Sequence, residues 1–168
     1  LTALGLHALQ HRGQEGCGIA TFDGEHFHTE KHLGLVQEHF GGASVRDRLP
    51  GFAAIGHTRY ATQGGTVIRN VQPLFADLAS GGFTIGHNGN LTNARALREE
   101  LVRDGAIFQS TSDTEVILQL MARSPRRGVV DRFVYALQQI EGAYALVGLA
   151  KDMIIAARDP RGIRPLVL

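Results

Sequence analysis

Two short apolar runs near the end of the chain place the strongest constraint on its fold. Residues 143–150 and 153–157 are continuously apolar or glycine, and only Lys151 and Asp152 separate them. Apolar runs of this length, bounded by a tight turn, are typical of strands, and a strand without polar alternation is covered on both faces. The sequence therefore predicts an antiparallel hairpin inside a layered domain.

The rest of the chain alternates strand patterns with helix patterns. The order of these patterns is strands, then a block of helices, then strands again. This order favours an α/β layered domain with a largely antiparallel sheet between helices. With 168 residues, the chain is long enough for one buried core and too short for two ordinary domains. We predict strands at about residues 17–22, 26–36, 52–59 and 83–87, and helices at about residues 1–13, 92–105, 112–121 and 129–140.

Two of these helices carry recognisable start signals. Thr92 is expected to cap the helix that stops at Gly105. Residues 112–115 read Ser-Asp-Thr-Glu, which matches a capping box. The residues that follow provide a stripe expected to be buried: Val116, Ile117, Leu120 and Met121.

Composition excludes several classes of function. A net charge of +1 gives no electrostatic reason to expect nucleic acid or an anionic membrane as a partner. The single cysteine excludes an intrachain disulfide and favours a reducing compartment. No apolar run is long enough to span a bilayer, and no Cys/His spacing resembles a zinc site. We therefore expect a cytoplasmic protein without a metal site, bound neither to nucleic acid nor to a membrane.

Residues 85–93 carry the strongest candidate for chemistry. An apolar strand is expected to end at His87, with Asn88 and Gly89 following before a helix begins. An asparagine amide beside a glycine N–H supplies the two fixed donors that an oxyanion hole requires in acyl transfer. Asn-Gly is also a strong hairpin signal, although the helical residues that follow leave such a hairpin without its second strand. Taken alone, this segment leaves both interpretations open.

Two charged residues are candidates for substrate binding. Arg59 follows a second apolar strand ending in Gly-His, so we expect the two strands to be neighbours in one sheet and to converge on one site. An arginine there can bind a carboxylate, although most arginines are surface residues. Asp113 lies at a predicted helix start. The helix dipole alone is enough to explain an acidic residue there. The alternative is that its carboxylate pairs with a substrate ammonium group.

Other reactive side chains have simpler interpretations. Cys17 has no obvious base beside it, so we interpret it as a small buried thiol. His26 and His28 alternate along a hairpin without a third ligand, which favours solvent-exposed histidines over a metal site. His57 and His87 each precede a candidate site group, although a histidine at a strand end can also simply hydrogen-bond to the backbone. Residues 159–162, Asp-Pro-Arg-Gly, fit a type I turn.

Five polar motifs follow one another along the chain, at residues 11–16, 56–62, 87–91, 111–115 and 158–166. Taken together, they resemble the glutamine amidotransferase domain of the amidophosphoribosyltransferases. The resemblance spans essentially the whole chain and implies a class II amidotransferase of the N-terminal nucleophile hydrolase type. It implies an α+β fold, a four-layer α/β/β/α sandwich with two stacked, mainly antiparallel sheets, here without its N-terminal strand. Residues 1–168 would be one N-terminally truncated amidotransferase domain, with the phosphoribosyltransferase domain absent.

The resemblance also implies roles for substrate-binding residues. Arg59 would hold the α-carboxylate of glutamine, and Asp113 would hold its α-ammonium group. Thr62 would help to line the same pocket. A zwitterionic amino acid requires one cation and one anion arranged in this way.

The groups around the reacting amide follow from the same resemblance. Asn88 and Gly89 would form the oxyanion hole, and Arg12 and Gly13 match a loop that lies against the nucleophile. That nucleophile is a cysteine at the mature N-terminus, whose own amino group acts as the base. This chain begins with Leu1, so we expect the fragment by itself to be inactive.

For the parent protein, the resemblance implies release of ammonia from glutamine through a cysteinyl thioester, for synthesis of 5-phosphoribosylamine in de novo purine biosynthesis. It implies glutamine and a phosphoribosyltransferase domain as partners, and a homo-oligomer. It implies no cofactor within this chain and assigns Mg²⁺ and a 4Fe–4S cluster, where present, to other regions of the parent. Two alternatives remain: the corresponding half of glucosamine-phosphate synthase or asparagine synthetase, and a non-catalytic glutamine-binding module.

Overall fold

Within the part of the chain that the structure describes, seven strands in two antiparallel sheets form the centre of the protein. The computed structural model describes residues 1–42, 44–60 and 67–167. The strands are β1 (Gly16–Phe22), β2 (Phe27–Leu33), β3 (Ala53–Arg59), β4 (Leu74–Leu78), β5 (Gly81–Leu91), β6 (Gly142–Ala150) and β7 (Ile154–Arg158). One sheet has the order β2-β1-β3, and the other has the order β4-β5-β6-β7.

Six α-helices of the described residues lie on the outer faces of these sheets. Three of them precede β3 in the chain, and three lie between β5 and β6. The helices are α1 (Thr2–Ala8), α2 (Val36–Phe40), α3 (Val45–Arg48), α4 (Ala94–Arg103), α5 (Thr114–Arg123) and α6 (Val129–Leu137). Two 3-10 turns, Gln10–Arg12 and Ile68–Asn70, connect elements near the sheet ends.

Strand β1 shows how one sequence produces two buried faces. Cys17 and Ile19 pack with Leu6 of α1 and with α2 and α3. Ala20 and Phe22 point the other way and pack against Leu149 of the second sheet. Side chains alternate between faces along a strand, so a strand apolar throughout is buried between two layers. The layer order is helices, sheet, sheet, helices, which confirms the four-layer α+β sandwich expected from the resemblance.

The largest core lies between the second sheet and helices α4–α6. The predicted stripe on α5 is confirmed, because its apolar residues are buried against this sheet. Phe83 of β5 and Phe133 of α6 are both buried, and their ring centroids are 5.9 Å apart. Burying a phenylalanine side chain stabilises a fold by roughly 1.5–3 kcal/mol. Gly148 lies directly beside the Phe83 ring, where any side chain would collide with it.

The strand predicted at residues 83–87 is longer in the structure. β5 continues to Leu91, and Asn88 and Gly89 lie inside it, paired with Ala145 and Tyr144 of β6. The prediction that the strand ends before Asn88 is therefore wrong. Its partner strand comes much later in the chain, so no local pattern could indicate the extension.

Three further predictions are also corrected. The strands that end near His57 and His87 belong to different sheets and face each other, rather than lying side by side in one sheet. Asn93 rather than Thr92 occupies the cap position of α4. β7 is partly exposed along its length, so the two-sided burial expected of residues 153–157 does not hold for this edge strand.

The search for membrane-spanning helices gave a negative result for the described ranges: none of their helices has both the length and the apolar character needed to cross a bilayer.

Candidate functional site

A cavity of about 430 Å³ opens where the C-terminal ends of β3 and β5 meet. Its walls come from both sheets, from the turn after α1, from the start of α4 and from the loop before α5. Thr62 lies outside the described residues, and Gly13 lies behind the wall. The predicted site residues that line the cavity are Arg12, Arg59, Asn88, Gly89 and Asp113.

Arg59 is the last residue of β3 and is only 7% exposed. Its Nη1 donates a hydrogen bond to the backbone oxygen of Asn70 at 3.1 Å. The guanidinium therefore has a fixed position at the cavity wall. The interpretation of this residue as an ordinary surface arginine is wrong, because its side chain is buried and hydrogen-bonded to the Asn70 backbone.

The chain can pass closely across the end of β3 because residue 13 is a glycine. A Cβ atom at this position would lie 2.7 Å from the carbonyl carbon of Arg59 and 2.8 Å from that of Thr58, so only glycine fits. Glu15 N–H donates to the Arg59 backbone oxygen at 3.1 Å, which holds the crossing in place. The crossing leaves Arg12 exposed at the cavity.

Asp113 presents a carboxylate to the cavity from the start of α5. Its Oδ2 accepts a hydrogen bond from Leu91 N–H at 3.0 Å, and its Oδ1 lies 3.6 Å from His87 Nδ1. Burial raises the pKa of Asp113, but His87 and the N–H groups of Leu91 and Thr114 more than offset this, and the pKa is held below its usual value. The group is therefore an anion at neutral pH.

Asn88 and Gly89 lie at adjacent positions near the end of β5. Asn88 is exposed and lines the cavity. Gly89 has a φ of +153°, and a Cβ atom there would lie 2.8 Å from Tyr144 Cα and 2.9 Å from His87 Nε2, besides colliding with the Ala143 oxygen. The backbone at this point is therefore available only to glycine.

His57 connects the two sheets beneath the cavity. Its Nε2 donates to the backbone oxygen of His87 at 3.1 Å, as expected for a strand-end histidine, and its buried Nδ1 has no hydrogen-bond partner among the described residues. Burial lowers the pKa of His57 to about 4, with a smaller contribution from the charge of Arg59. The imidazole is therefore neutral and structural at pH 7.

Two charged side chains hold the loop before Asp113. The sequence pattern placed Glu115 in a capping box and gave Arg98 no role. The Glu115 carboxylate accepts hydrogen bonds from Gln109 N–H and Ser110 N–H, each at 2.7 Å. It therefore does not complete the predicted capping box with Ser112. Arg98 donates to the oxygens of Ser110 and Ser112 at 3.0 and 2.9 Å.

The charge around the cavity is unbalanced. Among the described residues that line it, Asp113 is the only acid. An excess of positive charge in a concave site attracts an anionic or zwitterionic ligand. The arginines that share the wall are Arg12, Arg59, Arg95, Arg98 and Arg164.

The remaining reactive side chains lie away from this chemistry. Cys17 is fully buried, and burial together with the nearby Glu38 raises its pKa to about 11, which confirms the buried-thiol interpretation. His28 Nε2 lies 2.6 Å from Asp23 Oδ2. Within the described ranges, no three His, Cys, Asp or Glu side chains are placed to hold a metal ion.

Comparison with known proteins adds independent information. Residues 57–168 match the family profile of a glutamine amidotransferase domain. The chain is 56% identical over its full length to an amidophosphoribosyltransferase of Rhizobium etli, covering 34% of that protein. It is 45% identical to one of Lacticaseibacillus casei, covering 87% of that sequence.

A solved structure gives the same result for the fold. The glutamine phosphoribosylpyrophosphate amidotransferase of B. subtilis, complexed with ADP and GMP, superposes with a TM-score of 0.89 at 43% identity. The alignment covers 98% of this chain and 35% of that protein. The chain thus spans about a third of the length of the Rhizobium etli and B. subtilis relatives.

Proposed function

The chain belongs to the glutamine amidotransferase domains of the amidophosphoribosyltransferases, and from that premise we propose that its cavity binds glutamine and serves the release of ammonia from the glutamine side chain. One observation carries the proposal: Arg59 and Asp113, which have opposite charges, share a single cavity with Asn88 and Gly89. An α-amino acid offers a matching carboxylate and ammonium group on one carbon.

In this proposal, Arg59 binds the α-carboxylate and Asp113 binds the α-ammonium group. Guanidinium and carboxylate form short, charge-assisted hydrogen bonds. The lowered pKa of Asp113 keeps it ionised, as pairing with an ammonium group requires. With both ends of the main chain held, the side-chain amide of glutamine extends to Asn88 and Gly89. Arg12 borders the reacting end, Gly13 supports this part of the chain from behind the cavity wall, and we assign Thr62 to the same pocket from the resemblance alone.

The nucleophile in this proposal is the thiolate of a cysteine at the mature N-terminus of the parent protein. Its sulfur adds to the amide carbon, and the carbonyl oxygen becomes an oxyanion that accepts hydrogen bonds from the Asn88 amide and Gly89 N–H. The C–N bond then breaks, a proton passes to the leaving nitrogen, and ammonia and a glutamyl thioester form. Water hydrolyses the thioester to glutamate and regenerates the thiol.

The fate of the ammonia belongs to the parent protein. We propose that a phosphoribosyltransferase domain of the same polypeptide uses it to form 5-phosphoribosylamine in purine biosynthesis, in a cytoplasmic homo-oligomer. Any Mg²⁺ or 4Fe–4S cluster would lie in regions of the parent outside this chain. The support is the identity to amidophosphoribosyltransferases along the whole chain, which favours this assignment over glucosamine-phosphate synthase or asparagine synthetase.

Glutamate release by the parent polypeptide tests the proposal. We expect release that disappears when the N-terminal cysteine is changed to alanine. Asp113→Asn should raise the KM for glutamine about 10–100-fold, because the ammonium group loses its charged partner. Phosphoribosylamine formation from added ammonium salt, which bypasses glutamine, should be unchanged. Binding of glutamine without glutamate release from the folded wild-type protein would instead support a non-catalytic binding module.

A further inference from the structure

Two buried amide side chains, Asn70 and Gln72, lie at the centre of the hydrogen-bond network beneath the cavity. They are 1% and 5% exposed; Asn70 ends the Ile68–Asn70 turn, and Gln72 lies between this turn and β4. Sequence reasoning assigns them no role. Buried amides are costly unless hydrogen-bonded, so their partners show what they hold together.

Asn70 connects the cation of the cavity to its anion. Its backbone oxygen accepts the hydrogen bond from Arg59 Nη1 at 3.1 Å. Its side chain makes two bonds to Thr111: Nδ2 donates to Thr111 Oγ1 at 2.8 Å, and Thr111 N–H donates to Oδ1 at 3.0 Å. Thr111 is two residues before Asp113. One buried residue thus bridges the Arg59 side chain and the loop that carries Asp113.

Gln72 makes the corresponding connection to β5. Its Oε1 accepts a hydrogen bond from His87 N–H at 2.6 Å, and its Nε2 donates to Thr114 Oγ1 at 3.1 Å. His87 immediately precedes Asn88, and Thr114 immediately follows Asp113. Gln72 therefore ties the end of the strand that carries Asn88 and Gly89 to the start of α5.

We propose that Asn70 and Gln72 are positioning residues that set the spacing of the three ligand-binding groups in the cavity. The inference rests on the proposed glutamine-binding function. The carboxylate, ammonium and side-chain amide of glutamine have separations limited by its covalent structure, so the protein groups that meet them must be held at matching separations. Displacements of about 1 Å in such a site reduce rates about 100-fold.

The two residues should affect different kinetic parameters. Asn70→Ala removes both bonds to Thr111 while leaving the backbone oxygen that meets Arg59. We expect it to raise the KM for glutamine about tenfold, with kcat changed less than about twofold, because it loosens groups that bind the substrate main chain. Gln72→Leu frees the end of β5, so we expect kcat to fall about tenfold or more through misplaced oxyanion donors.

Asn93→Ala is a matched control for loss of stability alone. Asn93 makes the same pair of bonds, with Nδ2 donating to Gln139 O at 2.8 Å and Glu141 N–H donating to Oδ1 at 2.9 Å. It connects α4 to the start of β6 and does not line the cavity. We expect a lower Tm for this variant with both kinetic parameters unchanged.

The experiment measures Tm and glutamate release against glutamine concentration in the full parent polypeptide. Should Asn70→Ala fail to fold, Thr111→Val at an exposed position removes one of the same bonds and should raise KM about threefold. No glutamate release from the wild-type protein would reject the proposed function itself. An active wild type with Asn70, Gln72 and Thr111 variants that match Asn93→Ala in KM and kcat would overturn the positioning role.

Discussion

At the scale of single residues, close backbone contacts restrict two positions near the cavity to glycine. At both Gly13 and Gly89, a Cβ atom would meet backbone atoms at less than 3.0 Å. Gly89 also has a backbone conformation that other residues rarely adopt. Neither constraint is visible in a sequence, because both arise from strands distant in the chain.

Gly89→Ala should damage both stability and activity. The added methyl group collides with the β6 backbone, so we expect the free energy of unfolding to fall by roughly 2–3 kcal/mol. The displaced N–H should reduce glutamate release by the parent about 100-fold. Urea denaturation and a glutaminase assay measure the two effects. Gly5→Ala is the control, because a Cβ atom there meets nothing within 4 Å in helix α1; an active, stable Gly89→Ala protein would contradict this account.

His57 should make the domain sensitive to moderate acid. Its pKa falls from 6.5 to about 4 on folding, so the unfolded chain binds the proton more readily. The associated stability is complete above pH 6.5 and is lost progressively as the pH falls towards 4. We expect His57→Gln to flatten the dependence of Tm on pH in this window.

His26→Gln provides the comparison for that pH dependence. The His26 side chain is 73% exposed, so its replacement should leave the curve of Tm against pH unchanged. A His57→Gln protein with the same acid sensitivity as the wild type would show that another group is responsible.

At the scale of elements, the loop between α4 and α5 gives Asp113 its position. Arg98 of α4 holds two loop carbonyl oxygens and lies 3.9 Å above the Phe108 ring centre, while Glu115 of α5 holds two loop N–H groups. Two helices thus fix one loop from opposite ends by charge-assisted hydrogen bonds. The loop needs no regular structure of its own to hold Asp113 still.

Arg98→Met should loosen this loop while preserving contact with Phe108. We expect faster hydrogen exchange at residues 110–113 and a KM for glutamine raised about 3–10-fold, because two charge-assisted bonds are lost. Arg103→Met, at an exposed position on the same helix, is the matched control. Unchanged exchange in the Arg98 variant would mean that Glu115 alone suffices to hold the loop.

At the scale of the whole molecule, the cavity depends on the contact between the two sheets. The first sheet contributes Arg59 and the second contributes Asn88 and Gly89. The apolar layer between the sheets is small, with Ala20, Phe22, Ile55 and Leu149 as its buried members among the described residues. Movement of one sheet over the other would change the distance between the proposed binding groups.

Leu149→Ala should show how much this inter-sheet layer stabilises the domain. Leu149 is 1% exposed, and we expect its truncation to lower the free energy of unfolding by about 2–5 kcal/mol. Leu4→Ala removes the same atoms from a side chain that is 72% exposed, so it should change the free energy of unfolding by less than about 0.5 kcal/mol. Circular dichroism in urea measures both. Equal, small effects would mean that the sheets are held together mainly by polar contacts such as His57 to His87.

Local sequence patterns located most of the elements and the candidate chemical groups. Short apolar runs located β1, β3 and β6, and apolar residues spaced at the helical period located α5. The order of the polar motifs indicated the family. The same local reasoning missed β4, a short strand whose second residue, Phe75, is exposed.

The way in which those parts combine became known from the folded protein. It assigned the two Gly-His strands to opposing sheets, extended β5 through Gly89 by pairing with β6, and turned Glu115 towards Ser110 instead of Ser112. It also revealed Asn70 and Gln72, whose partners lie far away in the chain. Local periodicity reports which face of an element is apolar, whereas sheet membership and buried hydrogen bonds depend on segments that meet only after folding.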